Sequence, residues 1–393
     1  ILSTTKEVQA REGKPFDIEK HNAAAARACA ESVVLLKNEN GMLPLKQGTR
    51  VAVIGEFAQK ARYQGAGSSV VNPTKLENAI DVIGNFGLDV AGFEAGYPRS
   101  GPGDPAMQQK AVELAKKADV VLLYIGLDEI SESEGLDRSH MKLPQSQIDL
   151  LEAVAAVNAN VVAVMSAGSA VEMPWLSKCK AMVHGYLCGQ AGASSVLKVI
   201  LGEINPSGKL AESYPLKYED VSSAPYFPSR QRSAEYREGL YVGYRYYETA
   251  NIPVLFPFGF GLSYTTFAYS DLKVTETEAE FTLTNTGTRD GAEVAQLYVS
   301  KLSGEVYRPA KELKGFQKVF LKAGESRSVK IPLDDKAFRY FNVKTNKFEV
   351  EGGEYQILIG ASAADIKLSG SVAVAGTNAP NPYDKQRLPD YYA

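Results

Sequence analysis

Val120-Val121-Leu122-Leu123-Tyr124-Ile125-Gly126 is almost wholly apolar and rich in branched side chains, which predicts a strand buried on both faces. Just beyond it stands Ser131-Glu132-Ser133-Glu134-Gly135-Leu136-Asp137-Arg138, a glycine-containing loop crowded with carboxylates and closed by an arginine. A buried strand that runs into a polar loop is where an open α/β sheet places its ligand chemistry. A carboxyl group on such a loop is anchored by the strand yet able to move, as proton transfer requires. Taken alone, the loop could equally be a solvated turn; its neighbours along the chain decide between the two.

Working outward, the segments 51–54, 160–165 and 181–187 are further apolar runs of strand length, and 119–125 takes in the run quoted above. Between them, 78–84, 106–117, 144–157 and 193–200 carry helical periodicity, and a helix starting at Asp17 would align Ala25, Ala28, Cys29, Val33 and Leu36 on one face. Alternating strands and helices imply βαβ crossovers, hence a mostly parallel sheet sandwiched by helices over about residues 20–215. Residues 1–19 are polar and read as an N-terminal arm. Gly55-Glu56-Phe57-Ala58 and Gly65-Ala66-Gly67-Ser68-Ser69-Val70 both fail the dinucleotide fingerprint, the first in its glycines and the second in its third glycine and its distance from the strand.

Residues 216–264 are dense in aromatics, among them Tyr236, Tyr241, Tyr244, Tyr246, Tyr247, Phe256, Phe258 and Phe260, which either line a sugar site or pack between domains. From 265 to 376 the pattern changes to short alternating segments (267–271, 279–285, 292–300, 310–320, 326–332 and 354–359) with Asn285-Thr286-Gly287 and Gly352-Gly353 turns. Short strands at regular spacing predict an all-β sandwich of the immunoglobulin or fibronectin III kind. The segment 377–393, with Pro380, Pro382 and Pro389, reads as an extended linker.

Bulk properties narrow the function. Lys and Arg number 43 against 46 Asp and Glu, so a net charge of -3 gives no case for nucleic acid or an anionic membrane. No apolar run approaches the roughly 20 residues that span a bilayer. Cys29, Cys179 and Cys188 sit in apolar contexts without metal or redox spacing, which suggests buried thiols in a reducing, cytoplasmic (bacterial) compartment. His21, His140 and His184 are scattered, so neither a metal nor another cofactor is expected. Residue 1 is Ile rather than Met, which suggests a trimmed N-terminus.

Several motifs together resemble glycoside hydrolase family 3. They are Asp119 to Gly126 with Ser133-Glu134-Gly135-x-Asp137-Arg138 and Leu143-Pro144-x-x-Gln147; Glu31 to Glu39 with Leu43-Pro44-Leu45; Gly67-Ser68; Asn205 to Leu210; Glu238-Gly239-x-Tyr241-x-Gly243-Tyr244-Arg245-Tyr246-Tyr247; and Phe256 to Tyr264. The matches run from about residue 20 to 376. The resemblance implies an α/β sandwich domain followed by a fibronectin III-like domain, and a retaining, exo-acting β-glucosidase cleaving β-glucosides or oligosaccharides such as cellobiose. It makes Glu134 the general acid/base, with Glu129 and Glu132 close enough to compete for the role. Ser68 matches a loop serine that reaches the sugar, or else caps its own turn. Asp137 and Arg138 are expected to fix the loop by a charge-assisted pair.

The family's (β/α)8 barrel, whose aspartate is the nucleophile, has no counterpart in this chain: Trp175, the single tryptophan, follows Pro174 and fits no nucleophile motif. A barrel domain or a second polypeptide must therefore supply that residue, and the Pro-rich tail suggests that the barrel follows this chain. A β-xylosidase is the alternative within the family. An N-acetyl-β-glucosaminidase is disfavoured because such members take their acid/base from a barrel loop. A non-catalytic carbohydrate-binding or interaction fragment is the alternative outside it. Homo-oligomerisation is left open.

Overall fold

The computed structural model describes residues 1–13, 15–229, 232–301 and 303–383. In chain order its first part runs α1 (Leu2–Gln9), α2 (Ile18–Ser32), β1 (Val34–Asn38), β2 (Arg50–Ile54), α3 (Glu56–Gln59), α4 (Ala79–Val82), β3 (Asp89–Glu94), α5 (Pro105–Ala115), β4 (Val120–Gly126), α6 (Gln145–Val157), β5 (Val161–Ser166), β6 (Ala181–His184) and α7 (Gly192–Ile200). The six strands form one sheet in the order β1-β6-β5-β4-β2-β3. All neighbours are parallel except β1 and β6. The α/β class expected from the sequence is what the chain adopts.

Burial on β4 shows why the sheet is sandwiched. Val121, Leu123 and Ile125 point to one face and pack with Leu114 of α5 and Leu150, Leu151 and Val154 of α6. Val120, Leu122 and Tyr124 point to the other and pack with Cys29 of α2 and Val196, Leu197, Val199 and Ile200 of α7. Successive side chains alternate across a strand, so a run apolar at every position needs cover on both sides. Each fully buried Leu or Val contributes roughly 1.5–3 kcal/mol.

Four local expectations change. The helix from Asp17, capped by its carboxylate on the Lys20 amide at 3.0 Å, ends at Ser32. Val33 and Leu36 therefore leave the helix face, and 34–38 pairs antiparallel with β6 at the sheet edge, where Val34, Leu35 and Leu36 are all buried. β6 stops at His184, before a turn in which Tyr186 takes a left-handed φ of 52°. The half-exposed strand β3 carries no apolar run, so no pattern in the sequence marks it. The arm forms α1, which buries no residue.

Next come β7 (Tyr214–Pro215), α8 (Tyr244–Ala250) and β8 (Val254–Phe256), then the sandwich strands β9 (Phe267–Val274), β10 (Glu278–Asn285), β11 (Gly291–Ser300), β12 (Glu312–Leu321), β13 (Ser326–Pro332), β14 (Arg339–Asn342), β15 (Lys347–Val350), β16 (Gly353–Gly360) and β17 (Ile366–Val374). Sheets β13-β10-β9 and β12-β11-β16-β17 enclose Phe281, Leu283, Leu297, Leu321, Ile331, Ile357 and Ile359; the hairpin β14-β15 and strand β17 were not foreseen. Several of the aromatics between the two parts serve packing: Tyr244 stacks on Phe258 at 4.8 Å, meets Tyr298 edge-on at 6.0 Å, and its hydroxyl accepts from the Leu313 amide at 2.7 Å. Lys209 reaches Glu293 of β11 at 3.1 Å, with both side chains largely buried. Of the expected linker, 384–393 lies outside the described residues. The part before it is held to the sandwich rather than extended, with Asn342 Nδ2 donating to the Pro380 carbonyl at 2.8 Å and the Tyr307 amide donating to the Tyr383 hydroxyl at 2.9 Å.

Candidate active site

The strand order places the site before any side chain is considered. After β2 the chain crosses to β3 on one side; after β4 it crosses to β5 and β6 on the other. The loops leaving β2 and β4 therefore diverge, and the crevice between them is a topological switch point, where open α/β sheets bind ligands. β2 and β4 are hydrogen-bonded neighbours with Ile54 level with Leu123. The β2 loop carries Ser68, and the β4 loop carries Glu134.

The two residues meet. The Ser68 amide donates to Glu134 Oε2 at 2.7 Å, and the Ser68 hydroxyl donates to the same oxygen. The Glu134 amide returns a longer bond to the Ala66 carbonyl at 3.4 Å. Gly67 permits this approach: at φ +96° a Cβ there would lie 2.6 Å from Glu134 Cβ and 2.8 Å from its carboxylate, so a side chain is excluded by conformation and by space. Glu134 is exposed, and the Ser68 hydroxyl and then the Ser68 amide hold its carboxyl below the usual glutamate range.

The rival carboxylates are committed elsewhere. Glu129 takes a two-pronged grip from Arg99 at 2.9 and 2.5 Å; burial alone would raise its pKa, but the guanidinium outweighs burial and lowers it. Arg99 in turn reaches Glu56 at 2.6 Å. Glu132 accepts from the Gly168 amide at 2.7 Å and the Ser169 hydroxyl at 2.6 Å, and it lies 3.9 Å from Arg62. Among the described residues no lysine or arginine pairs with Glu134.

Asp137 and Arg138 do not form the expected pair. Asp137 is exposed. Arg138 turns away from it, donating to the Ser169 hydroxyl at 2.8 Å and to the Ala170 carbonyl at 3.4 Å. Burial lowers its pKa, opposed by the nearby Glu132 and Glu212. The guanidinium spans to the β5 loop because Glu132, already bound to Ser169, supplies charge there; Asp137 in water offers only a solvated partner.

Two supports had no sequence signal. Arg62 is buried, donating from Nε to the Leu127 carbonyl at 3.2 Å and from NH2 to the Glu132 carbonyl at 3.1 Å, so it holds the root of the acidic loop. Glu212 accepts from the Ala170 amide at 3.3 Å, and burial pushes its carboxyl up to about 7. Arg62 belongs to no motif, and Glu212 lies just past the Asn205–Leu210 motif with nothing to set it apart. An open trough of about 560 Å³ runs along these groups, lined among others by Arg62, Ala66, Glu132, Glu134, Arg138 and His140. Among the described residues no cluster of His, Cys, Asp and Glu could hold a metal ion, and no helix is long and apolar enough to cross a membrane.

The chain thus joins an α/β domain, with a carboxylate at its switch point, to a β-sandwich, an arrangement shared with known proteins. Residues 33–264 match the glycosyl hydrolase family 3 C-terminal domain, and 293–363 match a fibronectin type III-like domain. The crystal structure of a GH3 beta-glucosidase from Bifidobacterium adolescentis superposes with a TM-score of 0.92 at 42% identity, covering 98% of this chain and 58% of that one. Thermostable beta-glucosidase B of Acetivibrio thermocellus is 45% identical over 378 residues, 93% of this chain and 50% of that protein. An exo-alpha-(1->6)-L-arabinopyranosidase of Bifidobacterium breve is 43% identical over 398 residues, 97% of this chain and 52% of its own length. The chain belongs to glycoside hydrolase family 3. It spans about half the length of the curated relatives it matches.

Proposed function

We propose that this chain is the acid/base half of a retaining, exo-acting β-glucosidase, completed by a (β/α)8 barrel that carries an aspartate nucleophile. One observation carries the reading: of the three glutamates on the β4 loop, Glu134 alone makes no ion pair among the described residues, and it sits at the switch point against the loop from β2. The barrel aspartate attacks the anomeric carbon while Glu134 protonates the departing oxygen; Glu134 then takes a proton from the water that hydrolyses the glycosyl-enzyme. Retention places the two carboxyl groups about 5–5.5 Å apart.

The first step needs Glu134 protonated, whereas Ser68 here stabilises its carboxylate. Both demands are met if Ser68 turns from Glu134 to a sugar hydroxyl once substrate enters, and if closure of the barrel desolvates the carboxyl and raises its pKa. Glu134→Ala in the full-length enzyme is expected to slow turnover of glucosides with poor leaving groups far more than of activated aryl glucosides, with azide restoring rate. Equal losses on both, or none, would sink the assignment. The chain by itself is expected to hydrolyse neither.

Identity to the arabinopyranosidase over 97% of the chain supports a second reading, cleavage of α-L-arabinopyranosides. A β-xylosidase remains the third. All three pentose and hexose glycones would be sorted by the barrel, so a panel of 4-nitrophenyl β-D-glucoside, β-D-xyloside and α-L-arabinopyranoside separates them.

A further inference from the structure

The trough beside Glu134 does not end at the acidic loop. Its far wall is built from Leu187, in the turn after β6, and from Tyr218, Ser223 and Phe227, in the segment after β7. Phe227 leaves 44% of its surface in solvent. Exposing much of a phenylalanine forfeits a share of the roughly 1.5–3 kcal/mol its burial would contribute.

Yet the ring is carried on a braced turn. The Phe227 amide donates to the Ser223 carbonyl at 3.0 Å, and the Phe227 carbonyl accepts from the Tyr218 hydroxyl at 3.3 Å. The Tyr218 amide donates to the buried Glu172 carboxylate at 3.0 Å, and the Glu172 amide donates to the Met141 carbonyl at 2.8 Å. Met141 lines the same trough, so the wall is keyed to the end of the loop that bears Glu134. A braced, exposed apolar surface beside the carboxylates and arginines of a crevice is the usual make-up of a ligand contact.

The direction in which a ligand would lie follows from the chemistry, and it rests on the acid/base reading of Glu134. In a retaining displacement the leaving group departs on the face opposite the nucleophile. The nucleophile is outside this chain, so the leaving group is driven toward this chain, past Glu134 and along the trough. We propose that Phe227, backed by Tyr218 and Leu187, is the binding wall for the leaving group, and that it takes a flat, apolar-faced one: an aryl ring, or the C–H face of a second β-linked hexopyranose. Small alkyl alcohols would leave the ring uncovered.

The test is the kcat/KM of the full-length enzyme and its Phe227→Ala and Phe227→Trp variants on methyl β-D-glucoside, phenyl β-D-glucoside and cellobiose. Phe227→Ala is expected to lose about tenfold on phenyl glucoside and cellobiose, the worth of one aromatic contact. It should change less than about twofold on methyl glucoside, and Phe227→Trp should retain or restore activity on the larger two. A uniform loss on all three substrates would mean that the ring packs against another domain, and an unchanged profile would mean that the leaving group lies elsewhere; either overturns the proposal. Azide rescue of Glu134→Ala, measured alongside, reports on the acid/base assignment independently of leaving-group size.

Discussion

Replacing Arg62 by methionine tests whether the acidic loop is held from below. The methionine keeps most of the side chain's apolar length and removes the guanidinium, whose side chain is 1% exposed. Two hydrogen bonds are lost, to the carbonyls of Leu127 at 3.2 Å and Glu132 at 3.1 Å, together with the 3.9 Å approach to the Glu132 carboxylate. Hydrogen bonds from a charged donor are worth about 1.5–3 kcal/mol each, so the loop root loses about 3–6 kcal/mol of local stability. Hydrogen exchange followed by mass spectrometry on the full-length protein is expected to show peptides over 127–138 exchanging faster by about 10²-fold, and by no more than about 10⁴-fold, with the sheet strands little changed. Because Glu134 rides on the same loop, kcat on poor leaving groups should fall by about 10²-fold, the usual consequence of an ångström-scale misplacement. If the variant melts earlier while 127–138 keeps its protection and kcat its value, Arg62 is only a packing residue and the reasoning fails.

Removing the Ser68 hydroxyl by Ser68→Ala takes away the larger of the two interactions that hold the Glu134 carboxyl low and leaves the amide at 2.7 Å. The Glu134 pKa should rise, and since the first step uses the protonated form, the basic limb of the kcat/KM profile should move to higher pH; movement to lower pH would contradict the contact. Glu212 provides a stability check. Its folded-state pKa of about 7 stands above the ordinary 4.5, so the folded protein holds the proton more tightly, and this stabilisation is full below about 4.5 and lost as pH rises through about 7. Glu212→Gln should flatten the dependence of the unfolding free energy on pH between those values, by an amount on the order of 3 kcal/mol at the alkaline end; an unaltered slope would show that Glu212 ionises normally.

The acidic loop is legible in the sequence because strand and loop are local facts: an apolar run fixes where β4 ends, and the carboxylates follow in chain order; the choice of Glu134 among them rests on the family resemblance. Arg138 was assigned the wrong partner for a related reason. Adjacency in sequence favoured Asp137, but the guanidinium reaches across to Ser169 on the loop after β5, a contact between residues 31 positions apart. Arg62 was invisible because its acceptors are main-chain carbonyls 65 and 70 residues away, and no residue pattern announces a carbonyl. Val33 and Leu36 kept helical spacing by coincidence, and only pairing with β6 shows that the helix has already ended.

Periodicity, turn chemistry and the spacing of motifs determined, by themselves, that this chain is an α/β sandwich joined to a β-sandwich, and that a loop dense in carboxylates, 131–138, follows the buried strand β4. Those are properties of short windows, set by which faces of a strand or helix must be buried. The order of strands was decided only in three dimensions, since it depends on which runs pair across long separations. That order sets β2 beside β4, opens the crevice between their loops, and brings Ser68 onto Glu134 across 66 residues of chain.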